Sequence, residues 1–152
     1  MKKIMLFGLL ITFLGVSSCD ISDDGSECVI GPVLILIDLV EEGSNENLFS
    51  NGTFDKSQFT VVSNNNQPVN HNFLNVDGRE YLRIALGETV GENTISLKLN
   101  SEVIMDIQYT TALSTGECNN PYITDFDIPE YDFEQLPSTG AIRVYFPLQV
   151  LD

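Results

Sequence analysis

The side chains able to do chemistry are few in kind. His71 is the only histidine, and for it to act in catalysis a hydroxyl or thiol nucleophile and an orienting carboxylate must come within hydrogen-bond reach. No Gly-x-Ser-x-Gly elbow is present to supply that nucleophile. Neither a Walker-type Gly-Lys nor a His-Glu-x-x-His occurs, so nucleotide hydrolysis and metalloprotease chemistry have no support. Carboxylates are abundant, with 22 Asp and Glu in 152 residues. A glycan-hydrolase acid and base pair would need two of them about 5 to 9.5 Å apart across a sugar, a distance the sequence does not hold. The acidic stretch from Asp125 to Asp132 could offer oxygen ligands to calcium, yet Pro129 and Glu130 occupy the third-ligand and glycine positions of an EF-hand loop. Asp125 and Asp127 are weak calcium candidates beside the simpler reading of carboxylates facing water. Sugar binding wants exposed aromatics, and the chain has no Trp. Tyr81 and Tyr145 are the aromatics expected to face outward, as binding candidates or as cover for a sheet.

The elements that must position these residues read as strands. From Val33 onward, short β-type runs alternate with Gly, Asn, Asp, Ser and Pro clusters, and no long stretch shows a 3.6 period. Val33 to Val40 is nearly continuous in apolar residues, which suits a central strand buried on both faces. Phe59 to Ser63 is a second, shorter run. Asp77-Gly78 is a two-residue type I′ signal that pairs Val69 with Leu86, His71 with Ile84, Phe73 with Leu82 and Asn75 with Glu80. One largely apolar face results, with Asn70–Ala85, Asn72–Arg83, Leu74–Tyr81 and Val76–Arg79 on the other. His71 is thereby expected in the core or at a sheet edge. In the next hairpin a two-residue loop at Asn100-Ser101 would set Leu97 opposite Ile104 and mix the faces. A three-residue loop, Asn100-Ser101-Glu102, matches Leu99 with Val103, Leu97 with Met105 and Ile95 with Ile107, and is preferred because a one-residue slip turns every side chain over. Tyr122, Thr124, Phe126 and Ile128 alternate against Ile123, Asp125 and Asp127. Pro129 to Pro137 reads as a polar connection with room for one helical turn. Ile142, Val144, Phe146 and Leu148 point inward on a last strand, where Pro147, lacking an N–H, favours an edge position. The expected fold is all-β: an antiparallel two-sheet sandwich of immunoglobulin-like or transthyretin-like kind, with a small β-barrel as the alternative.

The N-terminus has a different grammar. Lys2 and Lys3 precede an apolar run from Ile4 to Val16, followed by Ser17 and Ser18, the layout of a secretory signal. The run is short of the about 20 residues that span a bilayer. Val16-Ser17-Ser18-Cys19 resembles the lipobox of bacterial lipoproteins. That resemblance implies cleavage after Ser18, lipidation of Cys19 and attachment to the membrane through more than one acyl chain, since one chain holds only marginally. With Cys19 given to lipid, Cys28 and Cys118 remain as a possible disulfide in an oxidising compartment. The bridge would close a loop of roughly 90 residues, for which chain entropy gives roughly 4 to 5 kcal/mol. One histidine and two such cysteines do not make an ordinary zinc site.

Formal charge is −15 at pH 7, and loss of Lys2 and Lys3 with the signal makes it more negative. So few basic residues cannot neutralise a phosphate polyanion, which excludes nucleic acid as a partner. Residues 20 to 27 are acidic and nearly free of apolar side chains, as in a tether that does not fold. Asp20, Asp23 and Asp24 also resemble the acidic export signals of surface lipoproteins. The segment from Glu46 to Phe54, Glu-Asn-Leu-Phe-Ser-Asn-Gly-Thr-Phe, is similar to a stretch in small uncharacterised lipoproteins of diderm bacteria. Such proteins are thought to carry one β-sandwich after a lipobox, and the resemblance brings no catalytic residues. The resulting organisation is a signal peptide over 1–18, a flexible acidic tether over 19–30 and a single β-sandwich over 31–152. The expected protein is a non-enzymatic binding or structural module without a cofactor, lipid-anchored to the outer membrane on its periplasmic or surface face, with an envelope protein or glycan as partner. A carboxylate-based glycan hydrolase and a calcium-stabilised adhesin-like module are the competing expectations.

Overall fold

A computed structural model describes residues 31–87, 89–115 and 118–148. The signal, Cys19, the tether and Cys28 lie outside the described residues. Nine strands form two sheets: β1 (Val33–Glu41), β2 (Phe59–Ser63), β3 (His71–Val76), β4 (Arg79–Leu86), β5 (Gly91–Leu99), β6 (Glu102–Leu113), β7 (Pro121–Asp127), β8 (Phe133–Gln135) and β9 (Ile142–Phe146). The five-stranded sheet runs β3-β4-β1-β9-β8 and the four-stranded sheet β2-β5-β6-β7. Neither sheet closes on itself, so the alternative of a closed barrel is set aside. The expectation of a purely antiparallel sandwich also needs correction, because β1 and β9 pair in parallel, Asp38 against Arg143 and Val40 against Tyr145. Sequence neighbours make the antiparallel hairpins, whereas the chain's first and last strands meet only after both sheets are built, and hairpin reasoning does not reach that pair.

The β3–β4 hairpin has the expected register from His71–Ile84 through Val76–Arg79. Asp77 and Gly78 both take positive φ, 52° and 82°, as a type I′ turn requires. At its open end the expected Val69–Leu86 pair is absent. Val69 instead donates its N–H to Val61 of β2, while Asn70 still accepts from Ala85. The chain is crossing from one sheet to the other there.

The β5–β6 hairpin corrects the expected loop and explains why the expectation was half right. Asn100 and Ser101 have φ of 51° and 73°, and Leu99 pairs with Glu102 and Lys98 with Val103, so the loop has two residues. A bulge then intervenes, and Leu97 meets Met105 and Ile95 meets Ile107, the pairs the apolar pattern demanded. The bulge inserts one residue on β6 and restores the face that the short turn would have inverted. A second bulge, opposite Thr110 and Thr111, adds one residue, Thr124, on β7 of the β6–β7 pair. It turns both Ile123 and Phe126 toward the core and leaves Tyr122 48% exposed, against the simple alternation that set Tyr122, Thr124 and Phe126 on one face and Ile123 on the other. The polar connection after Ile128 holds β8 rather than a helical turn. β9 lies between β1 and β8, so Pro147 sits just past the end of an interior strand rather than on an edge.

The core is the layer between the sheets. Ile35, Ile37 and Leu39 of β1, Leu82, Ile84 and Leu86 of β4, Ile95, Leu97 and Ile107 of β5 and β6, and Val144 and Phe146 of β9 are buried in it. Burying one such side chain contributes about 1.5–3 kcal/mol. The Glu46–Phe54 segment closes one end of this layer. Phe49 makes edge-to-face contacts with Phe54, Phe59 and Phe73 at centroid distances of 5.9, 5.1 and 4.8 Å. Phe54 continues the chain of rings to Phe146 at 5.5 Å. His71 is half-buried on edge strand β3, with Nδ1 2.9 Å from the Val69 carbonyl oxygen, within the core-or-edge expectation.

Candidate functional site

The central strand carries one acid in its apolar run. Alternation points Ile37 and Leu39 into the core, so Asp38 and Val40 face outward across the five-stranded sheet, yet both are completely buried. The cover is local. After β1 the chain turns back, Glu41 donates to Glu46 and Leu48 to Leu39, and Asn47 bridges to Val40. This return lays Asn47 over the outer face beside Asp38.

A buried carboxylate is costly unless it is paired and hydrogen-bonded. Asp38 Oδ1 accepts from Arg79 Nε at 2.8 Å and from Asn47 Nδ2 at 2.9 Å, and Oδ2 accepts from Arg143 Nε at 2.9 Å. The arginines come from the strands on either side, β4 and β9, and both remain partly open to solvent. Burial works against the Arg143 charge, but its hydrogen bond and attraction to Asp38 prevail and raise its pKa. Asn47 is fully used. Its Nδ2 also donates to the Glu80 carbonyl at 2.8 Å, and its Oδ1 accepts from the Phe49 and Ser50 amides and the Ser50 hydroxyl. That is an Asx turn whose amide end has been turned toward a buried acid.

The same outward face contains both tyrosines expected there. Tyr145 is half-buried and donates its hydroxyl to Glu134 Oε1 at 2.7 Å, a bond that, with some burial and the Glu134 charge, raises the phenol pKa. Tyr81 faces the same side but is only 8% exposed, so it covers the sheet rather than offering a platform. Alternation adds Leu34, Leu36, Leu74, Val76 and Arg83, with Arg83 Nε donating to Asn72 Oδ1 at 2.8 Å. All three arginines of the protein therefore stand on one face. Asp38 holds Arg79 and Arg143 by Nε, so their outer guanidinium nitrogens point away from the acid. Among the contacts of those side chains are Arg79 to the Asn45 carbonyl at 3.5 Å, Arg143 to Glu134 at 3.7 Å, and a bond between Arg143 and Tyr145. The face can offer fixed donors to an acidic or polar group on a partner.

The outer face of the four-stranded sheet is the acidic counterpart. Asp125 and Asp127 both project from β7, opposite Thr110 and Gln108, and with Glu92 they line an open depression of about 420 Å³. No group of three or more His, Cys, Asp or Glu is placed to hold a metal among the described residues. Among the described residues two carboxyls shift, Asp55 and Glu80, and both move down. Bonds from the Ser57 backbone and side chain act on Asp55, and bonds from Lys56 and Asn75 on Glu80. Downward is the wrong direction for a general acid. Cys118 lies between β6 and β7 and is not without a partner, and the expected Cys28 lies outside the described residues.

Sequence reasoning missed Asp38, Asn47 and Arg143 as a set. The available signal was a lone acid inside an apolar strand, which has to find a cation somewhere. Its partners are 9, 41 and 105 residues away and carry no local signature. Comparison of the chain with protein-family models, with curated proteins and with solved structures finds no match.

Proposed function

We propose that the protein is a non-enzymatic envelope module, anchored by lipid on Cys19 to the outer membrane, whose arginine-bearing sheet face meets an envelope protein or glycan. The lipobox and the short apolar run before it support the anchor. The observation that carries the binding reading is the gathering of Arg79, Arg83 and Arg143, with Tyr145 and exposed Leu34 and Val76, on one face of a chain whose net charge is −15. Arginine and tyrosine beside aliphatic side chains is the composition of interface cores. The finer likeness to immunoglobulin-like or transthyretin-like sandwiches draws support from the way consecutive strands switch sheets between β1 and β2, β2 and β3, β4 and β5, and β7 and β8.

A Cys28–Cys118 disulfide belongs to this reading. Val33 opens β1 opposite Leu86, the short β4–β5 connection leads to Gly91 opposite Thr111, and Leu113 pairs with Pro121. Cys118 therefore lies at the end of the sandwich where the chain from Cys28 comes in. Alkylation followed by mass measurement should add label to both cysteines only after reduction, and equal labelling without reductant refutes the bridge.

Two experiments test the whole. Labelled palmitate should enter the wild-type protein and vanish in Cys19→Ala, and label that persists in the variant removes the anchor. A photo-crosslinking residue at Tyr145 should capture an envelope component in cells, whereas the same residue at Thr94 on the opposite sheet should not. Absence of any adduct at Tyr145, or equal adducts at both positions, overturns the binding face.

A further inference from the structure

We infer that Arg83 is the centre of a carboxylate-binding subsite on the outer face of the five-stranded sheet, and that its ligand is an acidic sugar, a uronate residue of a glycan. This deepens the binding-face reading above and rests on it. Arg79 and Arg143 share one acid, Asp38. Arg83 differs, because no carboxylate among the described residues pairs with it, in a chain with 22 acidic side chains. Its bond goes to a neutral group. Nε donates to Asn72 Oδ1 at 2.8 Å, which fixes the plane of the guanidinium and leaves its two terminal nitrogens for a ligand.

Three adjacent strands of one sheet build the surroundings. Asn72 stands opposite Arg83 across the β3–β4 pair. In the next row Asn70 accepts from the Ala85 amide, and Ala85 pairs with Leu34 of β1. Neighbouring strands lie about 4.8 Å apart, so the patch is about 10 Å wide. With Pro32 these side chains line a pocket of about 180 Å³, below the about 300 Å³ at which drug-sized sites begin and suited to one terminal group.

The polar groups select a sugar acid over an acidic side chain. The terminal nitrogens of a guanidinium form a fork that matches the two oxygens of a carboxylate. Asn72 has given its oxygen to Arg83, so its Nδ2 remains a donor, and the exposed Asn70 amide offers both a donor and an acceptor. A sugar hydroxyl both donates and accepts, and it meets such a partner beside the carboxylate; an Asp or Glu side chain brings nothing to fill that place. Pro32, Leu34 and Ala85 supply an apolar surface for the C–H face of a ring, with Leu34 54% exposed. Net charge of −15 works against any anion, but salt screens distant charges beyond about 8 Å and leaves direct bonds to the guanidinium. Glu88 and the acidic residues before Gly31 lie outside the described residues; the subsite is defined by Arg83 and its own bonds, not by freedom from charge nearby.

The full-length protein in neutral detergent is titrated calorimetrically with tri-galacturonate, with its methyl ester and with a tri-glutamate peptide. Tri-galacturonate should bind about tenfold or more tighter than either of the others, the worth of a hydrogen bond to a charged group. Arg83→Gln should weaken tri-galacturonate by about tenfold or more. Arg83→Lys keeps the charge but not the fork, so it should also weaken binding, and it carries the test if Arg83→Gln does not fold. Lys98→Gln removes a cation from the other sheet and should leave affinity unchanged. Tri-glutamate binding as tightly as tri-galacturonate overturns the sugar assignment in favour of an acidic polypeptide. No binding of tri-galacturonate, equal affinity for the methyl ester, or wild-type affinity in a folded Arg83 variant overturns the subsite. Any of these results with adducts still formed at Tyr145 removes this inference alone, whereas absence of adducts at Tyr145 removes the binding face and this inference with it.

Discussion

Asp38 and Asp125 are both strand carboxylates on an outward sheet face, and they have opposite fates. Asp38 sits on the central strand of the five-stranded sheet, has no exposed surface and is bonded by two guanidiniums and an amide. Asp125 sits on edge strand β7, is exposed and accepts from the neighbouring Phe126 amide. The difference lies in strand position and not in residue type. A central strand has cation-bearing neighbours on both sides and can be roofed by a returning loop, whereas an edge strand leaves its acids to water. The first arrangement spends its acid on holding two arginines in place, and the second adds charge to a surface.

Substitutions should widen that contrast. Asp38→Ala leaves two guanidiniums and the Asn47 amide facing one another without their acceptor, and should cost about 3–5 kcal/mol, read from the midpoint of urea unfolding. Replacing Arg79 and Arg143 by Met in the same chain should recover part of that loss, because the penalty comes from the unpaired charges. A triple variant no more stable than Asp38→Ala would show that the ion cluster is not the reason Asp38 is needed. Asn47→Ala removes a donor to Asp38 and the centre of the Asx turn, and should cost about 1–3 kcal/mol.

Tyr109 and Tyr145 supply a pH test. Burial raises the Tyr109 phenol, and the bond to Glu134 leads the causes that raise Tyr145. A phenol whose folded pKa exceeds its unfolded value stabilises the fold fully below the unfolded pKa of 10.0 and loses that contribution as pH rises through the folded value. The Tyr109 contribution to the tyrosinate absorbance, isolated by difference from Tyr109→Phe, should therefore appear above the ordinary tyrosine range and be accompanied by alkaline unfolding. Ionisation of Tyr109 at the ordinary tyrosine pH without loss of structure would contradict its burial. The smallest effect belongs to the other face. Asp125→Asn and Asp127→Asn should each change stability by no more than about 0.5 kcal/mol, and millimolar calcium should leave the melting temperature unchanged. A calcium-dependent rise abolished by either substitution would show that the depression holds a cation after all.

Much of the strand pattern was legible in the chain. Asp77-Gly78 set the β3–β4 register, because a type I′ turn admits few residues and fixes what lies opposite what. The core pairs Leu97–Met105 and Ile95–Ile107 were equally readable from the apolar face they complete. The loop beyond them was not, because a bulge and a shorter turn give the same core register as a longer turn, and only the φ values of Asn100 and Ser101 and the pairing of Lys98 with Val103 distinguish the two. Tyr81 and Tyr145 were placed on the right side of their strands, but burial of Tyr81 depends on neighbours that the pattern does not specify.

By itself the sequence determined which residues alternate inward, where the sharp turns fall and how strongly negative the protein is, because each of these is carried by neighbours along the chain. Tertiary structure alone decided that β1 lies between β4 and β9 and that Asp38 is enclosed by Asn47, Arg79 and Arg143. Those outcomes depend on contacts between segments up to 105 residues apart, whose attraction acts only once the two sheets have brought them together.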